Sequence, residues 1–422
     1  MIFLTWLLYF PLLYLAYYLR VLCAGFGFYW DLIPTALVHG LLFYASNWVV
    51  KTLVRFIRKE KKTVRKQENN PDLIFGVISV GFTTMYALNS YGILGRAMTG
   101  YLIPICVYIV LAISLNLVVG ISGELSLGHA GFMGVGTFAG IIAATCLRDL
   151  VASDFLLLVV AMLVGGLIAG IAGVIVGVPV LRLRGDYLAI VTLAFGEILK
   201  NIIGNLFVGM DENGLHFAMN EQGIHMEEGG KMIIKGALGA TGVNRISTFF
   251  AGFLLILFTV FVVLNLINSK EGRAIKAVRD NRIAAESVGI NVTAFRLKAF
   301  VVSAFLAGMA GALYGLSLAS VQASKFGYTT SIDILVYVVL GGMGNILGSI
   351  ISTVVLYLVP EFLRGLADLR MIMYAVVLVV VMLFTWSPKV KGMVQVVKAF
   401  ITDKLNALKG KFQKDKKEVA DQ

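Results

Sequence analysis

Charge is what this chain has least of. Asp, Glu, Lys and Arg make up 14% of its 422 residues against 59% hydrophobic residues, and the mean hydropathy is +0.87. That balance excludes an ordinary water-soluble globular protein and points to an integral membrane chain. Cysteine is scarce too. Cys23, Cys106 and Cys146 each lie in an apolar run; their odd number and lack of ligand spacing exclude a disulfide framework or a cysteine metal centre and leave packing as their role. The four histidines, His39, His129, His216 and His225, have no matching Ser and Asp pattern for a nucleophilic triad. His216 and His225 lie near Glu227 and Glu228 but without the tight spacing of metal ligands. Gly-Lys pairs occur in "GGKMI" and "GKFQK", yet neither has the phosphate-cradling spacing or the hydroxyl residue that Mg²⁺ needs. No catalytic residues, no metal and no cofactor are expected, and any ATP hydrolysis must come from another chain.

What is abundant is long apolar runs, near residues 2–19, 29–50, 73–89, 101–119, 125–146, 155–178, 187–207, 248–267, 298–320, 331–360 and 371–387. Each is close to the length that crosses a hydrocarbon core of roughly 30 Å. Unpaired backbone amides are costly in lipid, so these runs are predicted to be helices, and the alternating ten-residue strands of a barrel are absent. The expected fold is all-α, a polytopic helical bundle. The opening "MIFLTWLLYFPLLYLAYYLR" lacks a positive leading region and a small-residue cleavage site, so it reads as a retained helix despite Pro11. Glycine, 45 residues in all, often falls at four-residue spacing, as at Gly136/Gly140, Gly166/Gly170/Gly173/Gly177 and Gly311/Gly315. That spacing lets helices approach closely, and glycine-rich helices also line narrow pathways.

The net charge of +12 is explained by where the basic residues lie. Most of them cluster in Lys51–Lys66, Lys270–Lys298, the tail from Lys389 to Lys417, and Arg182 with Arg184. The positive-inside rule puts all four places in the cytoplasm, which makes the charge a matter of topology and anionic lipid rather than nucleic acid. Parity then tests the span count. Only three apolar runs follow residue 298, which would leave the basic tail outside unless one run is two. The run 331–360 contains "VLGGMGNILG", and Gly341, Gly342 and Gly344 make it the easiest place to interrupt a helix. A break there gives twelve passes, an N-terminal pair and a ten-helix core. The corresponding organisation is an N-terminal hairpin and basic loop (1–70), a core (71–387) with a polar loop at 269–293, and a basic tail (388–422).

The polar loop contains Glu271, Arg273, Lys276, Arg279, Asp280, Arg282 and Glu286. At about 2.5–3.5 kcal/mol per charge near a helix centre, burying them would cost roughly 20 kcal/mol, so the segment cannot be a span. It has helical grammar instead: Ser269 as N-cap with Glu271 in the first turn, Asp280 or Asn281 capping a second short helix, and Gly289 ending it. Ala274, Ala277, Val278, Ala284, Ala285 and Val288 are expected to form a small apolar surface, with Arg279, Arg282 and Glu286 pointing elsewhere. Such a piece suits a groove on a soluble partner, or equally a membrane surface.

The stretch "GRAIKAVRDNRIAAESVGINVTAFRLKAFVVSAFLAGMAGALYG" resembles the cytoplasmic coupling loop and following helix of permeases in the branched-chain amino acid family of ABC importers. Three more blocks, "LNLVVGISGELSLGHAGFMGVGTFAG", "PVLRLRGDYLAIVTLAFGEILK" and "VVLGGMGNILGSI", resemble the same family in the same order. Similarity is greatest to the longer, M-type subunit. The resemblance implies a permease of the bacterial inner membrane with both termini cytoplasmic. Its implied partners are a second homologous permease, two cytoplasmic ABC ATPase subunits and a periplasmic substrate-binding protein. It also implies that Arg279, Asp280, Arg282, Ala284, Ala285, Glu286 and Gly289 couple to the ATPase. The block 115–140 and the one after it nominate Ser122, Gly123, Ser126, Gly128, His129 and Thr192 for the transport pathway. Two uses of His129 stay open: hydrogen bonding to substrate, with Glu124 meeting an ammonium group, or hydrogen bonding to a neighbouring helix.

Glu197 and Lys200, three apart, can satisfy each other on one helix face. The longest external loop, about 208–247, carries Asp211, Glu212, Glu221, Glu227 and Glu228, a negative patch that suits either a binding protein or solubility. Where the family commonly has a Thr-Gly-Gly-Pro-Asn-Gly-like element, this chain has "GMDENGL", retaining only Asn213 and Gly214. The expected substrate is a branched-chain or hydrophobic amino acid, the alternatives being urea and short amides or a broader amino-acid range. A lone ion-coupled carrier is the competing class, with Glu124, Asp333 and Glu361 as its candidate carboxylates, all near segment ends.

Overall fold

The computed structural model describes residues 71–90, 95–183, 185–211, 214–224 and 230–362, with Val376 and Val379. The N-terminal hairpin, the basic tail and, apart from Val376 and Val379, the last apolar run lie outside the described residues. Two compact units divide the chain, residues 1–354 and 355–422. All contacts below belong to the first.

The described helices are α1 Pro71–Ser90, α2 Arg96–Asn116, α3 His129–Cys146, α4 Asp154–Val180, α5 Asp186–Gly204, α6 Phe249–Asn268, α7 Lys270–Asp280, α8 Arg282–Ser287, α9 Val292–Gly315, α10 Tyr328–Gly341 and α11 Ile346–Phe362. A π-helical turn, Leu117–Ser122, extends α2. Among the described residues, six helices are long and apolar enough to cross a membrane, and three shorter apolar helices accompany them. They fall on the predicted runs, with two adjustments. The run expected from 125 begins as helix only at His129, because Gly123 turns the chain with φ +78 and 123–128 stays non-helical. The run expected from 298 begins at Val292, since Asn291 caps it by accepting a hydrogen bond from Ala294 N at 3.1 Å.

Helices α3, α4 and α9 pack closely on one another, α4 leaving its other face exposed. Their small residues bring backbones into direct contact: a Cβ added to Gly136 would lie 2.2 Å from Gly308 Cα, and one on Gly165 would lie 2.6 Å from Gly136 O. In lipid this van der Waals contact replaces the hydrophobic drive between helices. The Thr137 hydroxyl sits 2.8 Å from both Met133 O and Gly311 O, tying α3 to α9 at the same level. On the flank, Phe82 of α1 stacks on Phe249 and Phe253 of α6.

The 208–247 loop is more ordered than its reading as an external loop implies. It carries strands β1 Phe207–Asp211, β2 Gly214–Ala218, β3 Lys231–Lys235 and β4 Ala240–Thr241, joined by β5 Ser320–Val321 from beyond α9 into one antiparallel sheet of order β2-β1-β3-β4-β5. Strands of two to five residues leave no mark in a window that finds twenty-residue runs. Of the five acidic residues expected as an exposed patch, Asp211 is instead turned in, its carboxylate 2.9 Å from His216 Nε2 and its side chain 3% exposed. Glu221 is exposed, and Glu212, Glu227 and Glu228 lie outside the described residues.

Candidate coupling and transport site

The polar segment between α6 and α9 folds as two capped helices. Ser269 Oγ accepts from Gly272 N at 3.0 Å, and Asn281, rather than Asp280, accepts from Ala284 N at 3.1 Å. Each such cap is worth about 1 kcal/mol. Gly289, at φ +83, lies two residues past the end of α8. The apolar side chains do not make the single surface expected; they divide between two faces. Ile275, Val278 and Ala285 turn inward, Val278 and Ala285 packing with Val292. Ile283 and Val288 turn outward at 79% and 75% exposure, beside the exposed Ala277 and Ala284. The helix break at Asn281 and the end of α8 before Val288 explain the split, since one helical stripe cannot run through both helices. Arg282 Nε and Glu286 Oε1 bridge one turn of α8 at 3.0 Å, and Asp280 is exposed. The outer side of this segment thus leaves two apolar side chains, Ile283 and Val288, uncovered among charged residues.

Arg279 is exposed and stands apart from the apolar side chains, as expected, but its guanidinium reaches back to the bundle. Its Nη1 donates to Gly120 O in the π-helical turn at 2.6 Å. A second ion pair lies beside it: Arg296 Nε stands 2.7 Å from Glu124 Oε1, both side chains close to 10% exposed. Burial pushes the Glu124 carboxyl up, and Arg296, then Arg282, pull it back. A carboxylate held by an internal guanidinium is not free for a substrate ammonium group.

Of the nominated pathway residues, Gly128 and Thr192 meet directly, and the polar ones lie in a packed interior. Ser122, Ser126, His129 and Thr192 are all buried. Ser114 Oγ donates to Leu111 O at 2.9 Å and lies 2.8 Å from His129 Nε2. A hydroxyl has one proton, so with that proton on Leu111 the imidazole donates through Nε2. Ser303 Oγ in turn donates to Ser114 O, so His129 links α3 to α2 and, through Ser114, to α9. This geometry favours the inter-helix use of His129. Thr192 Oγ1 accepts from Leu127 N at 3.1 Å, and Gly128 meets Thr192 so closely that a Cβ there would fall 2.2 Å from the carbonyl oxygen. Ser126 Oγ has no hydrogen-bond partner among the described residues. Gly123 adjoins Arg279 rather than an opening.

In the 331–360 run, α10 stops at Gly341 and α11 starts at Ile346. Gly342 and Gly344 take φ +93 and +86, a region open to glycine. The turn is held from α2 by Asn116, a residue the sequence did not single out: its Oδ1 accepts from Gly344 N at 2.7 Å and its Nδ2 donates to Ser349 Oγ at 2.8 Å. Glu197 and Lys200 pair on α5 as their spacing suggests, and Glu197 Oε1 also accepts from Tyr328 N at 2.7 Å, capping α10.

Residues 97–385 match the model of a family described as the permease component of branched-chain amino acid transport systems. The chain belongs to that family. Among curated relatives of this permease is the high-affinity branched-chain amino acid transport permease LivM of Salmonella typhimurium, 33% identical over 331 residues, or 74% of this chain and 72% of that one. LivM of Escherichia coli is also 33% identical, covering 72% and 71%. A ribose import permease of Haemophilus influenzae is 26% identical over 58% of the permease and 71% of its own length. No solved structure matches.

Proposed function

We propose that this multi-pass permease moves branched-chain, hydrophobic amino acids across the bacterial inner membrane as one subunit of an ATP-driven importer. On this reading, the end of the bundle bearing α7 and α8 is cytoplasmic, both termini are cytoplasmic, and the sheet end faces outward. The partners are a second homologous permease, two ABC ATPase subunits and a periplasmic substrate-binding protein. The observation that carries the reading is the outer face of α7 and α8. A chain with no phosphate-binding loop presents Ile283 and Val288 uncovered beside the Arg282 and Glu286 rim, on helices that are themselves capped and anchored.

Fully covering an Ile or Val side chain stabilises by about 1.5–3 kcal/mol, so the pair would anchor part of a larger interface in which Arg282 and Glu286 also find partners. Ile283→Asp with Val288→Asp is expected to release the ATPase subunits during copurification and abolish ATP-driven uptake of labelled leucine, while the permease itself still purifies as a folded chain. Retention of the ATPases by this variant would remove the docking role. Substrate is tested separately, by competition of unlabelled leucine, isoleucine and valine against urea, a short amide and ribose. The branched-chain amino acids are expected to compete and the others not.

The ion-coupled alternative is less well supported. Glu124 is occupied by Arg296, and the Glu361 side chain lies outside what is described. Asp333, partly buried on α10, is the carboxylate left to that reading.

A further inference from the structure

Arg279 is exposed on α7, yet its guanidinium reaches back to the bundle and joins three elements at one point. We infer that Arg279 is the positioning residue through which movement of α7 and α8 reaches the transmembrane helices, by way of the π-helical turn 117–122 and the turn 342–345. The inference rests on the proposed docking of an ATPase against the outer face of the same two helices.

The contacts form a continuous chain. The Arg279 stem crosses Gly123 so closely that a Cβ there would lie 2.9 Å from Arg279 Cγ, and the guanidinium then reaches Gly120 O at 2.6 Å. Gly120 is pressed in turn against the far side. A Cβ on it would lie 1.9 Å from Asn116 Oδ1 and 2.2 Å from Gly344 N. Asn116 completes the link by accepting from Gly344 N at 2.7 Å and donating to Ser349 Oγ at 2.8 Å and Asn345 O at 3.2 Å. A shift of α7 therefore cannot leave the end of α2 or the turn between α10 and α11 where they were without breaking a charged hydrogen bond or a backbone contact.

The element in the middle is a π-helical turn, and in this proposal it is the part that switches. A π turn carries one residue more per hydrogen-bonded ring than an α turn, and moving between them rotates whatever follows in sequence. Here that is the segment 123–128 and α3, which holds His129. The guanidinium on Gly120 O favours the π form seen here; withdrawing it when α7 moves would release the turn. Physical coupling of this kind needs a contiguous path, which the contacts above supply, and an element with discrete states, the part assigned here to the π-helical turn.

The test uses the whole transporter in proteoliposomes, with its ATPases, second permease and leucine-loaded binding protein, and reads leucine taken up per ATP hydrolysed. Arg279→Gln is expected to leave the complex assembled and hydrolysis within about twofold, while uptake per ATP falls about tenfold, the upper range for a mutation that weakens coupling. Arg279→Lys should restore part of the ratio. Asn116→Leu, which breaks the far end of the path, should lower the same ratio, and the double variant should be no worse than either single one. An unchanged ratio in Arg279→Gln overturns the inference. So does loss of the ATPases from the folded permease, because the guanidinium would then be a docking group. If Arg279→Gln does not fold, Asn116→Leu decides by the same ratio. Failure of the docking reading shows differently, as ATPases that stay bound to the Ile283→Asp, Val288→Asp permease.

Discussion

Arg296 and Glu124 illustrate what a single pair costs when it is buried. Removing one partner leaves an uncompensated charge, so Arg296→Met should destabilise the protein by about 3–5 kcal/mol, whereas Arg296→Met with Glu124→Gln should recover most of that loss. Thermal unfolding in detergent checks both. The pH dependence has a definite sign. Because burial raises the Glu124 pKa in the folded state, its contribution is full below the ordinary carboxylate value and is lost as pH rises through the raised one. Arg296→Met should therefore be more destabilised at neutral than at acidic pH, and an effect that grows as pH falls would contradict the assignment. His129 gives a second residue-scale test. Ser114→Ala removes the acceptor for a buried N–H and should cost about 1–3 kcal/mol, with His129→Ala in the same background adding less than it does alone. At this scale the sequence was legible where a side chain acts within a turn of itself: Ser269, Asn281, Gly289 and the Glu197/Lys200 pair all stand where spacing put them. It was not legible for Arg279, Asn116 or Glu124, whose partners are distant in the chain, and an isolated charge carries no signal of which backbone carbonyl it will meet.

At the scale of elements, two glycines separate packing from propensity. Gly136 faces Gly308 with no room, so Gly136→Ala should destabilise by about 1–3 kcal/mol through overpacking. Gly81 on α1 has nothing within 4 Å of an added Cβ, so Gly81→Ala should be neutral or stabilising by up to about 1 kcal/mol through helix propensity alone. Melting temperatures that move together would show that helix approach is not what the central glycines serve. The long helices were readable because a span needs about twenty apolar residues and little else has that form. The Gly-rich turn between α10 and α11 was nominated by charge parity as much as by glycine, since an odd number of crossings would have put the tail on the wrong side. The sheet was missed for the opposite reason: its strands are short, and the pairing of β4 with β5 joins segments on either side of two transmembrane helices. The two-faced pattern of α7 and α8 was half visible. Composition showed apolar residues among charges, but which of them face the bundle depends on where the π-helical turn and α9 stand.

For the whole molecule, family and fold class were within reach of the sequence, because apolar length, basic clusters and four ordered motifs are properties of long stretches. The expected branched-chain substrate agrees with the names of the 33% identical relatives, while a 26% identical ribose permease shows that the motifs alone do not fix the solute. The central claim is that this bundle does no work alone and takes its energy through the outer face of α7 and α8. The most direct measurement is uptake of labelled leucine into liposomes holding either the permease alone under a Na⁺ or H⁺ gradient or the assembled complex with ATP and loaded binding protein. The expected result is no uptake in the first case under either gradient, and uptake in the second that requires ATP and disappears with Ile283→Asp and Val288→Asp. Gradient-driven uptake by the lone chain, or ATP-driven uptake that survives those two substitutions, would contradict it.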